Sequence, residues 1–271
     1  MGSFDRLVRK VVPSAAHLSY NPLFKIVGDA ISGIPNLFFS EYRELPPNHM
    51  RVRVGVNNKL LFNQPYHLWL GMQYWVRWLT KGYVRPDSDV VEIGCGCGRI
   101  AHPLRNDWFT GTYLGIDIDK ELLQWCSEHF PKDKFAFLAS THKSATYTSD
   151  TSSEAIKFFF GEMASKDFIY STSLYTHLLV PELVNYTSES FKVLREDGVM
   201  CMTFFCLDSI ERGGRWNFEH KIGDAYVENL KYPEAAVAYT KEFMEGVARE
   251  AGFTNIDFLL NPVQSWLVCR K

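Results

Sequence analysis

The chain has 271 residues, of which 46% are hydrophobic and 22% charged, and this composition excludes a disordered or collagen-like protein. The length allows one large domain with an attached subdomain. A formal net charge of −2 supplies no overall positive field, so we expect no nucleic acid partner, and six scattered cysteines indicate reduced thiols in a cytoplasmic protein.

The first 85 residues are rich in aromatic residues and prolines, which predicts short helices with irregular connections. We interpret residues 1–85 as a helical cap on the substrate side and residues 86–271 as the main domain. Within the cap, residues 4–12 space apolar side chains at helical intervals with basic ones between them. We expect this amphipathic segment to dock on its own domain rather than on a membrane.

From residue 89 onward, short apolar runs alternate with helical patterns, which is typical of a doubly wound α/β fold with a mostly parallel sheet. Strands are predicted at residues 90–93, 112–116, 135–138, 168–171 and 199–205, and helices at 181–194 and 233–251. Two final strands, at 256–260 and 266–269, are too close in sequence for a crossover helix, so they should be antiparallel neighbours. The predicted fold is a mostly parallel seven-stranded sheet with an antiparallel last strand and an N-terminal helical cap.

A glycine-rich turn follows the first of these strands, in the segment VVEIGCGCGRI. Glu92 lies at the end of the strand, and Gly94, Gly96 and Gly98 follow at every second position. Glycines allow the backbone to turn sharply and to approach a ligand without side-chain obstruction. The pattern predicts a ligand site rather than a simple tight turn.

The second strand ends in the segment GIDID, which places Asp117 where a carboxylate accepts hydrogen bonds from both hydroxyls of a ribose. Asp119 is better placed to cap the helix that follows, which leaves Asp117 for a ligand. The glycine turn and this carboxylate together predict a nucleoside cofactor.

The glycine spacing distinguishes between two kinds of nucleoside cofactor. Dinucleotide sites of NAD(P)-linked oxidoreductases use G-x-G-x-x-G to seat a pyrophosphate, whereas this chain has G-x-G-x-G after Glu92. The turn resembles motif I of class I S-adenosylmethionine-dependent methyltransferases, E/D-x-G-x-G-x-G. A negative charge at Glu92 suits their cationic cofactor and repels a pyrophosphate. An NAD(P)-binding oxidoreductase and a methyltransferase-like binding protein without turnover stay open as alternatives.

Two later segments extend the resemblance. DFIYSTSLYTHLL resembles the region after the fourth strand of class I methyltransferases, and SFKVLREDGVMCMTFF resembles the helix, turn and fifth strand that follow. In that turn, Gly198 is expected to take the left-handed conformation. With PEAAVAY before the last helix, the chain looks closest to a bacterial subgroup that methylates small molecules or glycans.

The resemblance implies S-adenosyl-L-methionine as the cofactor. No metal ligands are predicted, since Cys95 and Cys97 form a C-x-C pair without a second pair. The residues that the resemblance implies at the cofactor are Glu92, Gly94, Cys95, Gly96, Gly98, Asp117, Ile118, Thr141, Ser171 and Thr172. Thr141 stands where many relatives have an aspartate that contacts the adenine amine.

Methyl transfer to a hydroxyl requires alignment of donor and acceptor and removal of a proton by a base. His177 follows the fourth strand, at the sheet edge where such folds bind ligands, and is the first candidate for the base. His142 and His220 are weaker candidates, since each falls in a predicted loop. No D/N-P-P-Y/F segment follows the fourth strand, so O-methylation is expected before N- or C-methylation of a small metabolite.

Overall fold

A computed structural model describes residues 18–54, 59–140, 164–211 and 216–271. In the described part of residues 1–85, the regular elements are helices, as predicted for the cap. They are α1 (Pro22–Ser32), α2 (Asn48–Arg53) and α3 (Gln64–Thr80), with short 3-10 turns at Ile34–Leu37 and Ser40–Glu44. The amphipathic helix predicted at residues 4–12 lies outside the described residues.

Five parallel strands form the centre of the sheet, in the order β3-β2-β1-β4-β5. Their bounds are β1 (Val90–Ile93), β2 (Tyr113–Asp117), β3 (Phe135–Ala139), β4 (Lys166–Ser171) and β5 (Leu194–Cys206). All five were predicted, and β5 begins earlier than predicted. This order places the chain reversal of the sheet beside β1, which is the position where doubly wound sheets bind ligands.

Beyond β5, three short strands extend the sheet in a way that the sequence pattern did not predict. They are β6 (His220–Ile222), β7 (Ala225–Val227) and β8 (Val237–Tyr239), and β8 pairs in parallel with the end of β5. The helix predicted at 233–251 was therefore wrong in its first half. The alanine-rich run has helix propensity, but Val237, Ala238 and Tyr239 are fully buried against β5 and β7, and that burial outweighs propensity.

The last two strands form a second extension of the sheet beyond β5. β9 (Asn255–Leu259) and β10 (Ser265–Arg270) are antiparallel, and β10 lies between β5 and β9. The predicted antiparallel ending is confirmed. The seven strands other than β6, β7 and β8 form the predicted doubly wound core, and ten strands are paired in all among the described residues.

Among the described residues, α5 (Val180–Val193) and α6 (Lys241–Ala251) pack on one face of this sheet, and α4 (Lys120–His129) packs with α3 on the other. α6 ends at Gly252, which has a φ of 115°, as predicted from the glycine. In the turn at residues 196–198 the left-handed residue is Asp197, with a φ of 64°, and not Gly198. The expectation for Gly198 was therefore wrong; its backbone is crowded instead, since a Cβ there would lie 2.8 Å from the carbonyl oxygen of Arg195.

The cap shares one hydrophobic core with the sheet. Trp75 and Trp78 of α3 are almost fully buried, and their rings pack against Phe168 and Tyr170 of β4. The indole Nε1 of Trp75 also donates a 2.6 Å hydrogen bond to the carbonyl oxygen of Ile100, just after the glycine turn. The cap thereby fixes the position of that turn. In the described ranges no helix is both long and apolar enough to span a membrane.

Candidate functional site

The glycine turn after β1 requires glycine for conformation and, at two positions, for space. Gly94, Gly96 and Gly98 have φ angles of 78°, 54° and 72°, which side chains rarely adopt. A Cβ on Gly96 would lie 2.4 Å from Val54 Cγ1, and one on Gly98 would lie 2.6 Å from the ring of Phe130. Around Gly94, the nearest atom to such a Cβ is 3.6 Å away. The turn is packed by the cap at Gly96 and by the end of α4 at Gly98, and it is more open at Gly94.

Asp117 ends β2 beside this turn and is bonded to it. Its Oδ2 accepts a 2.7 Å hydrogen bond from the amide of Gly96, and its Oδ1 accepts a 2.9 Å bond from the amide of Asp119. Burial raises the pKa of the Asp117 carboxyl, while these amide donors favour its ionised form. Asp119 caps α4 through bonds from the amides of Glu121 and Leu122, as predicted.

Glu92 has a different environment from the one that its charge suggested. Its side chain is 1% exposed, and its Oε2 accepts hydrogen bonds from the hydroxyls of Tyr113 at 2.5 Å and Tyr170 at 2.8 Å. Burial raises the pKa of Glu92 to about 8. This enclosure by tyrosines of β2 and β4 was not expected from the sequence, and Glu92 stays a predicted contact of the cofactor.

The carboxyl end of β4 supplies a buried polar side chain. Ser171 is fully buried, and its Oγ has no hydrogen-bond partner among the described residues. Ser173, two residues later, has a φ of 63° and donates its amide to Thr203 Oγ1 at 2.6 Å. The half-buried Thr172 lies between them. A buried hydroxyl without a partner costs about 1–3 kcal/mol, which a bound ligand would offset.

His177 lies in the loop between β4 and α5, as the sequence placed it. Its amide donates to the carbonyl oxygen of Leu174 at 2.8 Å, and its Nδ1 lies 2.8 Å from the carbonyl oxygen of Glu234. Since a carbonyl only accepts, Nδ1 carries the proton in the neutral ring. The backbone of Ala235 also forms a hydrogen bond with the ring. Burial lowers the pKa of the His177 imidazole, so the ring is neutral at pH 7.

The other two candidate bases are not brought to this position. His220 is exposed on β6, and four strands lie between β6 and β1 in the sheet order. The sheet therefore separates His220 from the glycine turn, and its placement in a loop was wrong. His142 and Thr141 lie outside the described residues.

Sequence reasoning missed a set of cap residues that reach the start of α4. The guanidinium of Arg53 lies 3.1 Å from Asp119 Oδ2 and 2.6 Å from Glu121 Oε2. Lys25 adds a 2.8 Å ion pair with Glu121, and Tyr20 donates its hydroxyl to Asp119. Although burial alone would raise it, the bonds from Lys25 and Arg53 hold the pKa of Glu121 at about 2. In the sequence, the basic residues of α1 and α2 were the only local feature that pointed to this contact with α4.

Comparison with known proteins identifies the domain around this site. Residues 91–202, which run from β1 through most of β5, match the family described as methyltransferase domain. Residues 91–202 therefore form a methyltransferase domain. This domain implies an S-adenosylmethionine-dependent enzyme whose cofactor is S-adenosylmethionine.

Solved structures share the fold of this methyltransferase at low sequence identity. An S-adenosylmethionine dependent methyltransferase from Mesorhizobium loti is 13% identical, covers 70% of this chain and 95% of its own, and has a TM-score of 0.50. A protein from Pyrococcus horikoshii OT3 is 16% identical, covers 73% of this chain and 91% of its own, and also has a TM-score of 0.50.

A curated relative matches part of the methyltransferase. It is the ribosomal RNA small subunit methyltransferase A of Methylobacillus flagellatus, 28% identical over 110 residues. The match covers 37% of this chain, and the chain spans only 37% of the length of that relative.

The residues of the site fit the cofactor of the methyltransferase. The open first glycine, the carboxylate of Asp117 and the buried hydroxyl of Ser171, which has no partner among the residues described, all lie at the carboxyl ends of β1, β2 and β4. A nucleoside with an amino acid group offers the polar atoms that such groups bind. Ile118 is half-buried beside Asp117, and Cys95 is a buried thiol whose pKa burial raises well above its usual range. Within the described ranges, no group of three or more metal-ligating side chains is placed to hold a metal ion.

Proposed function

We propose that this methyltransferase transfers the methyl group to a hydroxyl of a small molecule or glycan, with His177 as the general base. The observation that carries the proposal is the hydrogen bond from Nδ1 of His177 to the carbonyl oxygen of Glu234. It fixes the tautomer that has its lone pair on Nε2, and the lowered pKa keeps the ring ready to accept a proton at neutral pH.

Each residue of the site has a separate task in this proposal. When bound, S-adenosylmethionine supplies an electrophilic methyl group on a sulfonium. Asp117 accepts hydrogen bonds from the ribose hydroxyls, since a carboxylate that already accepts two amides retains lone pairs for further donors. Ser171 donates or accepts one polar contact, and Gly94 leaves room for the ligand beside the backbone. The remaining predicted contacts, Glu92, Cys95, Gly96, Gly98, Ile118, Thr141 and Thr172, are retained as proposals.

His177 acts on the acceptor alone. Its Nε2 would take the hydroxyl proton of the acceptor, and the carbonyl of Glu234 would stabilise the imidazolium that results. The bound cofactor would supply the methyl group, whose carbon–sulfur bond would break as the acceptor oxygen bonds to the carbon. The products are a methyl ether, the neutral demethylated cofactor and a proton that His177 returns to solvent. N- and C-methylation of a small metabolite would need the same alignment of methyl donor and acceptor, but the base would act on a different acceptor group.

A ribosomal RNA acceptor is the second candidate. The similarity to the ribosomal RNA methyltransferase of Methylobacillus flagellatus favours it. The match covers only 37% of either chain, and the net charge of −2 gives no general attraction to RNA. A cytoplasmic location is retained from the sequence as a prediction.

The test uses cofactor labelled with carbon-13 on the methyl group, offered with hydroxylated small molecules, glycans, amines and RNA. The methyl chemical shift of the product distinguishes attachment to oxygen from attachment to nitrogen or carbon. We expect label on oxygen, with transfer abolished in His177→Ala and retained in His220→Ala as the matched histidine control. Label on RNA or on nitrogen, or normal transfer by His177→Ala, would overturn the proposal.

A further inference from the structure

The side of helix α3 that packs on the glycine turn carries a buried histidine without a partner. Gly71 of α3 lies so close to the end of the turn that a Cβ on it would be 2.5 Å from the carbonyl oxygen of Arg99. His67 lies one helical turn before Gly71, on the same side of α3. It is 1% exposed, and neither ring nitrogen has a hydrogen-bond partner among the described residues. Since a neutral imidazole carries one N–H, His67 buries an unpaired donor.

Arg99, which follows the glycine turn directly, adds a second unpaired donor. It is half-buried, and its Nε is buried without a hydrogen-bond partner in the described part of the chain. Arg53 of the cap pairs with Asp119, whereas Arg99 forms no ion pair with any residue that the structure describes. The carboxyl of Glu92 does not neutralise Arg99 at pH 7, because burial raises the pKa of Glu92 to about 8. Arg99 therefore brings positive charge to the contact between the turn and the cap.

A third cation lies at the same contact. Arg51 of α2 is 3% exposed, and its Nε donates a 2.5 Å hydrogen bond to Oδ1 of Asn63, the residue at which α3 begins. Burial lowers the pKa of the His67 imidazole well below its ordinary range, and the charges of Arg99 and Arg51 lower it further. The surroundings of His67 are thus positively charged and offer N–H donors.

We propose that Arg99 and His67 form a binding site for one oxyanion, a carboxylate or a phosphate, between the helical cap and the glycine turn. The oxygens of such a group accept the Nε–H of Arg99 and the ring N–H of His67. Its negative charge offsets that of the guanidinium groups. The site lies where α3 covers the turn, whereas the cofactor contacts proposed above begin at the open glycine, Gly94.

Other occupants fit these two side chains less well. Ordered water would pair the N–H donors but would leave the charge of Arg99 without a counter-ion. A metal cation would be repelled by Arg99 and Arg51. The oxyanion is either a free ion or an acidic group of the methyl acceptor, and only the second source rests on the proposed function.

The first experiment is a calorimetric titration of the full chain, saturated with the demethylated cofactor, with inorganic phosphate and with acetate. We expect saturable binding that becomes at least about tenfold weaker in Arg99→Met and in His67→Phe. Arg99→Lys should have intermediate affinity, because it keeps the charge but loses the planar donor group. The matched control is Arg249→Met, on the exposed side of α6, which should bind like wild type.

The melting temperature separates binding from a structural role. His67→Phe removes buried polar atoms that have no partner among the described residues, so without anion it should melt no lower than wild type. A histidine that served only the packing of α3 would give a lower melting temperature and unchanged anion affinity. That pattern would contradict the proposal even if Arg99→Met did not fold.

The second experiment identifies the source of the oxyanion. Labelled cofactor is offered with pairs of acceptors that differ in one carboxyl group, such as a glucuronide and the corresponding glucoside. Preference for the acidic member, with KM raised and kcat retained in Arg99→Met, would assign the site to the acceptor. Equal use of both, together with phosphate binding, would assign it to a free anion. Transfer to neither would count against the proposed function, while the titration still decides on the anion site.

Three results would overturn the proposal. They are the absence of saturable binding of both phosphate and acetate, equal affinity of wild type and folded Arg99→Met, and binding that occurs only when the cofactor is absent. The last result would show that the anion occupies the cofactor site and not a site of its own.

Discussion

The amide of Gly96 donates a 2.7 Å hydrogen bond to Oδ2 of Asp117, so the glycine turn and the carboxylate beside it form one unit. In the sequence they are two separate motifs that follow two different strands. Parallel pairing of β1 with β2 brings their carboxyl ends together, and the hydrogen bond then holds the turn against the end of β2. A change at either residue should therefore affect both the fold of the turn and the binding of the cofactor.

Replacing Asp117 with alanine should weaken binding of S-adenosylmethionine by about 1–3 kcal/mol, because hydrogen bonds to a charged acceptor are lost. The variant should also melt at a lower temperature, since the amides of Gly96 and Asp119 lose their acceptor. Calorimetric titration and thermal melting measure the two effects. Unchanged affinity in the folded variant would place the ribose elsewhere.

Replacing Gly96 with alanine should be more damaging than the same change at Gly223. Both glycines have positive φ angles, 54° and 60°, so the conformational strain of the two substitutions is similar. A Cβ at position 96 would lie 2.4 Å from Val54 Cγ1, whereas nothing lies within 4 Å at position 223. We expect Gly96→Ala to lose cofactor binding and Gly223→Ala to keep it. Equal cofactor affinity in the two variants would show that contact with Val54 is unimportant.

Local patterns were sufficient to predict the five central strands and the glycine turn, because each strand is a continuous apolar run bounded by turn residues. Local patterns did not predict β6, β7 and β8, because each strand has only three residues and shows no periodic spacing of apolar residues. The environment of Glu92 could not be predicted either, since it depends on Tyr113 and Tyr170 from two other strands. Long-range side-chain partners leave no signal in a local pattern.

Replacing Arg53 with methionine should destabilise the protein by about 1–2 kcal/mol and weaken cofactor binding. Arg53 is nearly buried, so its loss leaves Asp119 and Glu121 without their main partner, but Glu121 is 40% exposed and solvent reduces the cost. The neighbouring Val54 packs on Gly96, which transmits the change to the turn. Denaturant unfolding and calorimetric titration measure both effects.

A control for Arg53→Met is Arg249→Met, which removes an exposed ion pair with Glu245 on α6. That variant should lose at most about 0.5 kcal/mol and bind the cofactor normally. If the two variants behaved alike, the contact between the cap and α4 would have no special role at the site.

Glu92 should make the protein less stable as the pH rises. Its pKa is about 8 in the folded state and about 4.3 when unfolded, so between these values the folded state binds more protons than the unfolded state. The contribution of Glu92 to the free energy of unfolding is fully present below about pH 4.3. It is lost as the pH rises through 8, by at most about 1.4 kcal/mol per pH unit. Glu92→Gln stays neutral, so its advantage over wild type in urea unfolding should grow from pH 5.5 to pH 7.5. A constant difference would mean that Glu92 is ionised in the folded protein.

His177 should determine the acid limb of the pH profile of methyl transfer. A base must be unprotonated, and burial lowers the pKa of His177 below its ordinary value of about 6.5. With cofactor saturating, the single-turnover rate should therefore rise with pH through an apparent pKa below about 6.5 and stay level at neutral pH.

In His177→Ala the rate at neutral pH should fall by about a hundred- to ten-thousandfold, and the acid limb should disappear, while the dissociation constant of S-adenosylmethionine changes little. A histidine that only anchors the loop through Glu234 predicts another pattern, in which melting temperature and cofactor affinity fall first and the limb persists. His220→Ala, on the exposed β6, should retain both the rate and the limb. An unchanged limb in His177→Ala would exclude this residue as the base and direct the search to His142.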